Sequence, residues 1–253
     1  MANPALSNNP AFRNNSTVSA QQLEELYERP SASPADTGRM TYEDTAVKTV
    51  VLFAVLVATS AVGWFIPALA IVGAIVGFVL AMVNTFKREP SVPLIVLYAA
   101  AQGLFVGGIS SFFNERWNGI PLQAALATFV TVGVTLALFA SGKIRASAKA
   151  TKIFLIAMVA YLVFQLLNVV LQLTGVVTNT FGLQSGWIGV LIGVAVVIMA
   201  AYSLVLDFDQ IQQGVRRGIP AKYGWTGAFG IMVTVIWLYF EFLRLIAILR
   251  GSN

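Results

Sequence analysis

The stretch TVVLFAVLVATSAVGWFIPALAIVGAIVGFVLAMVNTF, residues 49–86, runs from Lys48 to Lys87 without one charge. A run of about 20 apolar residues crosses the hydrocarbon core of a bilayer. This stretch therefore holds two crossings, broken at Pro67. A second uncharged run extends from Lys152 to Asp207 and holds two more. The whole chain of 253 residues is 57% hydrophobic and only 11% charged. A soluble domain carries about 25% charged residues, so the composition points to an integral membrane protein.

Seven spans follow from the remaining blocks. They are 49–66, 68–86, 94–113, 122–140, 153–173, 188–206 and 226–249. Span six is expected to continue as helix to Gln213, with Gly214 as its C-cap. Pro93 suits the first turn of span three. The expected fold is an all-α polytopic bundle of seven transmembrane helices over residues 45–253. Residues 1–44, rich in Asn, Ser, Ala and Pro, read as a disordered polar tail. Glu24, Glu25 and Glu28 ahead of the first apolar run are unlike a secretory signal.

The loops set an orientation. Lys87 and Arg88, then Lys143, Arg145, Lys149 and Lys152, then Arg216, Arg217 and Lys222 occupy alternate loops. The other loops hold Arg116 alone. Lys and Arg accumulate on the cytoplasmic side, which places the N-terminus there. The net charge of +5 is thus membrane topology, and no nucleic-acid partner is expected. Seven full crossings put the C-terminus outside. A re-entrant last segment would return it, and Arg250 favours that alternative. The expected location is the cytoplasmic membrane.

The chain has no cysteine and no histidine. Thiolate nucleophiles, disulfides and zinc-thiolate centres are excluded, and the commonest general base and metal ligand is missing. No tightly bound cofactor and no enzymatic activity are expected.

Of eleven acids, only Asp207, Asp209 and Glu241 lie in the apolar spans. An intramembrane carboxylate costs about 2.5–3.5 kcal/mol on insertion scales and usually faces a protein interior or a wet cavity. Asp207 and Asp209 stand two residues apart, about 200° around a helix, so one of them faces the interior. Asp207 is the deeper. Asp209 is expected among headgroups or beside Arg216 and Arg217, and both acids simply ending span six is the plainer reading. Glu241 has two compatible readings, a functional acid and an i,i+3 ion pair with Arg244. If Asp207 and Glu241 meet, they form a pair that titrates as a unit, or a site for a hard cation such as calcium. In span three, Gly103 and Gly107 form a small-xxx-small face for close helix packing. Gln102, Gln165, Asn168 and Gln172 are polar positions suited to interhelical hydrogen bonds or an aqueous path.

Two stretches carry a family resemblance. Leu206-Asp207-Phe208-Asp209-Gln210-Ile211 resembles the Asp-x-(Asn/Asp/Ser)-(Gln/Arg)-Ile stretch of the Bax inhibitor-1 family. Leu238-Tyr239-Phe240-Glu241-Phe242 resembles its Leu-Tyr-Leu-Asp-(Phe/Ile) stretch in the last helix. The resemblance covers about residues 42–249. It implies a pH-dependent calcium leak across a membrane, with two facing acids on spans six and seven as the sensor. A basic residue ending span two latches onto the span-six acid in the closed state. By position the acids are Asp207 and Glu241, and the latch is Lys87 or Arg88. Some bacterial relatives instead restrain a membrane quality-control protease, which implies a second possible partner and a regulatory role without transport. Two features depart from the pattern: Glu241 replaces the usual Asp, and the segment 213–225 is long. A span seven that starts at Thr226 places Glu241 about 22 Å along its helix, while Asp207 lies about 9 Å from the end of its own. The two depths disagree.

Overall fold

The computed structural model describes residues 38–251, and among these every regular element is helical. Seven long helices follow in order: α1 Tyr42–Phe65, α2 Leu69–Phe86, α3 Val92–Arg116, α4 Ile120–Ala140, α5 Ala148–Leu173, α6 Gly186–Arg216 and α7 Gly224–Gly251. Each is long and apolar enough to cross a membrane. Short 3₁₀ turns at Gly182–Gln184 and Ala221–Tyr223 precede α6 and α7.

The segments between helices alternate between two ends. At the end carrying the basic segments, Lys222 pairs with Glu89 at 3.0 Å and Arg145 donates to Gln212 at 3.2 Å. At the far end, Trp117 stacks on Phe181 and Arg250 donates to the Asn118 carbonyl at 2.7 Å. The last helix therefore runs fully across, and the re-entrant alternative is not what forms.

α7 is the axis of the bundle. It contributes thirteen buried residues, against Asn168 alone from α5. Ala228, Phe229, Met232 and Ile236 of α7 pack with Leu52, Leu56, Ile95, Tyr98 and Ala99 of α1 and α3. Val235 and Leu238 pack with Phe139 of α4 and with Ala200, Leu204, Val205 and Phe208 of α6. Leu243 and Ala247 meet Ile120 and Ala124 of α4. The small face of α3 lies against α1 as expected. A Cβ at Gly103 would collide with Thr59 Oγ1 and the Leu56 carbonyl, and one at Gly107 with the Ser60 carbonyl.

Three sequence expectations are corrected. Order begins before residue 45: Thr41 caps α1, its hydroxyl accepting from the Asp44 amide at 3.0 Å, and Glu43 and Asp44 complement the helix dipole. The part of the expected tail that covers residues 1–37 lies outside the described residues. Gly214 does not cap α6, which continues to Arg216, and Gly218 takes the left-handed conformation at φ 63°. The long segment 213–225 is shortened from both sides, α6 running on to Arg216 and α7 beginning at Gly224 directly after the 3₁₀ turn Ala221–Tyr223. At 31 residues, α6 is about 46 Å long by the rise per residue, well beyond the roughly 30 Å hydrocarbon core.

Candidate functional site

Asp207 sits nine residues before the end of α6, about 14 Å along it. Thr234 sits ten residues into α7, about 15 Å along that helix. The two therefore meet, and the Thr234 hydroxyl donates to Asp207 Oδ2 at 2.7 Å. Ser203 Oγ lies 3.4 Å from Thr234 Oγ1 and donates to it, since the Thr234 proton is committed to the carboxylate. Gly230, one turn nearer the basic end, leaves room beside Oδ1; a Cβ there would stand 3.2 Å from it. The carboxylate faces a cavity of about 150 Å³ lined also by Gln210, Ile211, Ile219, Tyr223 and Met40. Among the described residues no cation pairs with Asp207.

Asp209 points elsewhere, as two residues of helix require. It accepts from Gln213 Nε2 at 2.6 Å, and Gln213 accepts in turn from Arg217 at 3.3 Å. The expected contact with the basic segment thus runs through an amide.

Glu241 lies elsewhere too. It is 5% exposed and forms an ion pair with Arg244. Its other oxygen accepts from the Tyr161 hydroxyl at 2.6 Å. Tyr161 also receives Gln165 Nε2 and Arg244 Nη1, each at 3.0 Å. Arg244 reaches Gln184 Oε1 as well, and Gln184 Nε2 donates to Gln165 Oε1 at 2.8 Å. Asn168 Oδ1 accepts the Leu183 amide at 2.7 Å. The result is one buried network that ties α5 and the 3₁₀ turn before α6 to α7. Among the described residues, Arg244 Nε is the one buried side-chain polar atom without a partner. Gln165 and Asn168 thus hold the segment before α6 in place rather than bridging two long helices.

The structure does not bring Asp207 and Glu241 together. Glu241 is seven residues beyond Thr234, about 10 Å further along α7, and the two carboxylates share no hydrogen bond. Oxygen ligands bind calcium at about 2.3–2.6 Å, so a single calcium ion cannot join them in this arrangement. Nor does the expected latch reach Asp207. Lys87 and Arg88 are exposed, α2 packs chiefly on α3, and no residue of α2 lines the Asp207 cavity.

A larger crevice of about 510 Å³ opens between α1 and α4 near the far end, among residues such as Val57, Trp64, Phe65 and Phe129. Among the described residues no charged one lines it. Its hydroxyls are bonded internally, Ser110 with Tyr239 at 2.6 Å and Thr128 with the Ala124 carbonyl at 2.7 Å. Such a wall suits lipid chains, whereas an ion needs oxygen ligands.

Sequence reasoning missed Thr234, Tyr161, Gln184 and Met40. A lone Thr in an apolar helix and a Met before a cap carry no signal. Tyr161, Gln165, Asn168 and Gln172 follow one another at four, three and four residues, a helical stripe that marks the inward face of α5.

The family profile described as Bax inhibitor 1 like matches residues 3–251. No curated protein matches the chain.

Proposed function

The chain belongs to the Bax inhibitor 1 like family, and from that membership we propose that it is a pH-sensitive calcium leak of the cytoplasmic membrane, with Asp207 as its titrating acid. The observation that carries this reading is the contrast between the two intramembrane carboxylates. Glu241 is neutralised by Arg244 and hydrogen-bonded on both oxygens. Among the described residues Asp207 has one hydroxyl donor and no cation, and a cavity lies in front of it. An acid left in that condition inside a membrane is a functional acid by default. Protonating it removes the charge that attracts a cation and changes what Thr234 and Ser203 bond to. That is a local switch able to bias helix packing.

In this reading one acid senses pH, and Glu241 holds the far end of the bundle shut. Calcium is the permeant ion and no resident cofactor is required. The test is calcium flux into liposomes reconstituted with the protein, measured across a pH series. Wild type should conduct with a pH-dependent rate, and Asp207→Asn should flatten that dependence. Flux with an unchanged pH profile in Asp207→Asn would sink the assignment. Absence of flux in every variant would favour a regulatory membrane protein that acts through a partner such as a membrane protease.

A further inference from the structure

We infer that Gly38–Met40 is a built-in plug that narrows the Asp207 cavity at the basic end of the bundle. The inference builds on the role proposed for Asp207, because the plug matters to function only if that cavity does.

Met40 is 3% exposed although it precedes the first helix. Its side chain lines the cavity together with Asp207. Of the lining residues, only Met40, Ile219 and Tyr223 come from outside α6 and α7. These three cover the basic end of the cavity, which stays partly open beside the exposed Gln210 and Thr226. Main-chain pairing holds Met40 there. Its amide donates to the Ile219 carbonyl at 2.8 Å, and the Ala221 amide donates to the Gly38 carbonyl at 2.9 Å. Together they make a short antiparallel bridge between Arg39 and Pro220. Gly38 and Gly218 both adopt positive φ, a conformation that costs glycine little and lets each chain turn into the bridge.

The segment that receives the plug is fixed on both sides. Lys48 of α1 donates to the Ala221 carbonyl at 2.7 Å while paired with Asp44, and Lys222 holds Glu89 at 3.0 Å. The plug itself is weakly held. Its two hydrogen bonds involve main-chain groups that water can satisfy, and the buried group is one unbranched thioether that repacks easily. The receiver thus stays in place while Met40 leaves, opening a path to Asp207.

The absence of cysteine gives a clean probe. Ile211→Cys places one thiol on the cavity wall, at a position 7% exposed in the plugged form. Its rate of reaction with a charged, membrane-impermeant methanethiosulfonate is measured from the basic-segment side. Met40→Ala and deletion of residues 2–40 should each raise that rate at least tenfold. Deletion of residues 2–37, which keeps the plug, should leave it unchanged. Ser141→Cys, exposed at the same end, should label equally in every background and so reports intact folding. Should the long deletion fail this control, Met40→Ala decides alone. Equal Ile211→Cys rates with and without the Met40 side chain would overturn the plug, whatever the flux does. Faster labelling without faster calcium flux would keep the plug and defeat the leak reading.

Discussion

At the scale of the residue, the two buried acids differ in what removing them should do. Breaking a buried ion pair on one side leaves an uncompensated charge and costs about 3–5 kcal/mol. Glu241→Gln orphans Arg244, which is already short of a partner at Nε. It should lower the thermal midpoint in detergent markedly, and Arg244→Met should do the same. The double variant should recover much of the loss, because it removes both charges. A double variant as unstable as the sum of the two singles would contradict the pairing. Asp207→Asn, by contrast, keeps a hydrogen-bond acceptor for Thr234 and has no cation to orphan. Its midpoint should stay near wild type while its pH response changes. The sequence made Asp207 and Glu241 visible as rare intramembrane charges and made the i,i+3 pairing with Arg244 legible. It could not supply the relative register of α6 and α7, which decides that Asp207 meets Thr234 and not Glu241.

At the scale of the element, α3 and α5 represent two kinds of helix. α3 is held by close approach, so added volume at its small face has nowhere to go. Overpacking costs about 1–3 kcal/mol, occasionally more, and Gly103→Val or Gly107→Val should yield poorly folded protein in a size-exclusion profile. α5 shows the opposite behaviour. Leu162 and Leu166 are each 61% exposed, so Leu162→Ala and Leu166→Ala should shift the thermal midpoint little. Leu204→Ala in α6 removes a fully buried side chain, a change worth about 2–5 kcal/mol in a core. Comparable losses at all three positions would argue that α5 is packed and not lipid-facing. Helix number was legible because the apolar runs are long and charge-free. The ends were less so, because Glu43 and Asp44 look like tail residues until Thr41 is seen to cap the helix they open.

At the scale of the molecule, the segments between helices alternate strictly, so the start of α1 and the end of α7 lie at opposite ends. Single cysteines at Asn118 and Ser141, both exposed, should label from opposite faces of sealed vesicles. Labelling of both from one face would refute the crossing pattern. This level was almost wholly legible, since nine basic residues against one fix which loops share a side. Centrality was not: α7 is no more apolar than its neighbours, and nothing in its own residues says that every core cluster passes through it. The tethering of α5 has a consequence for descent. A helix held by Tyr161, Gln165 and Asn168, and near its start by Thr151 and Phe154 against Tyr202, places little demand on the identity of its exposed residues beyond their apolarity. Across related chains those outer positions are free to exchange among aliphatic residues as lineages diverge. The polar stripe is bound to particular partners in the segment before α6 and in α7, so it should change only when those partners change with it.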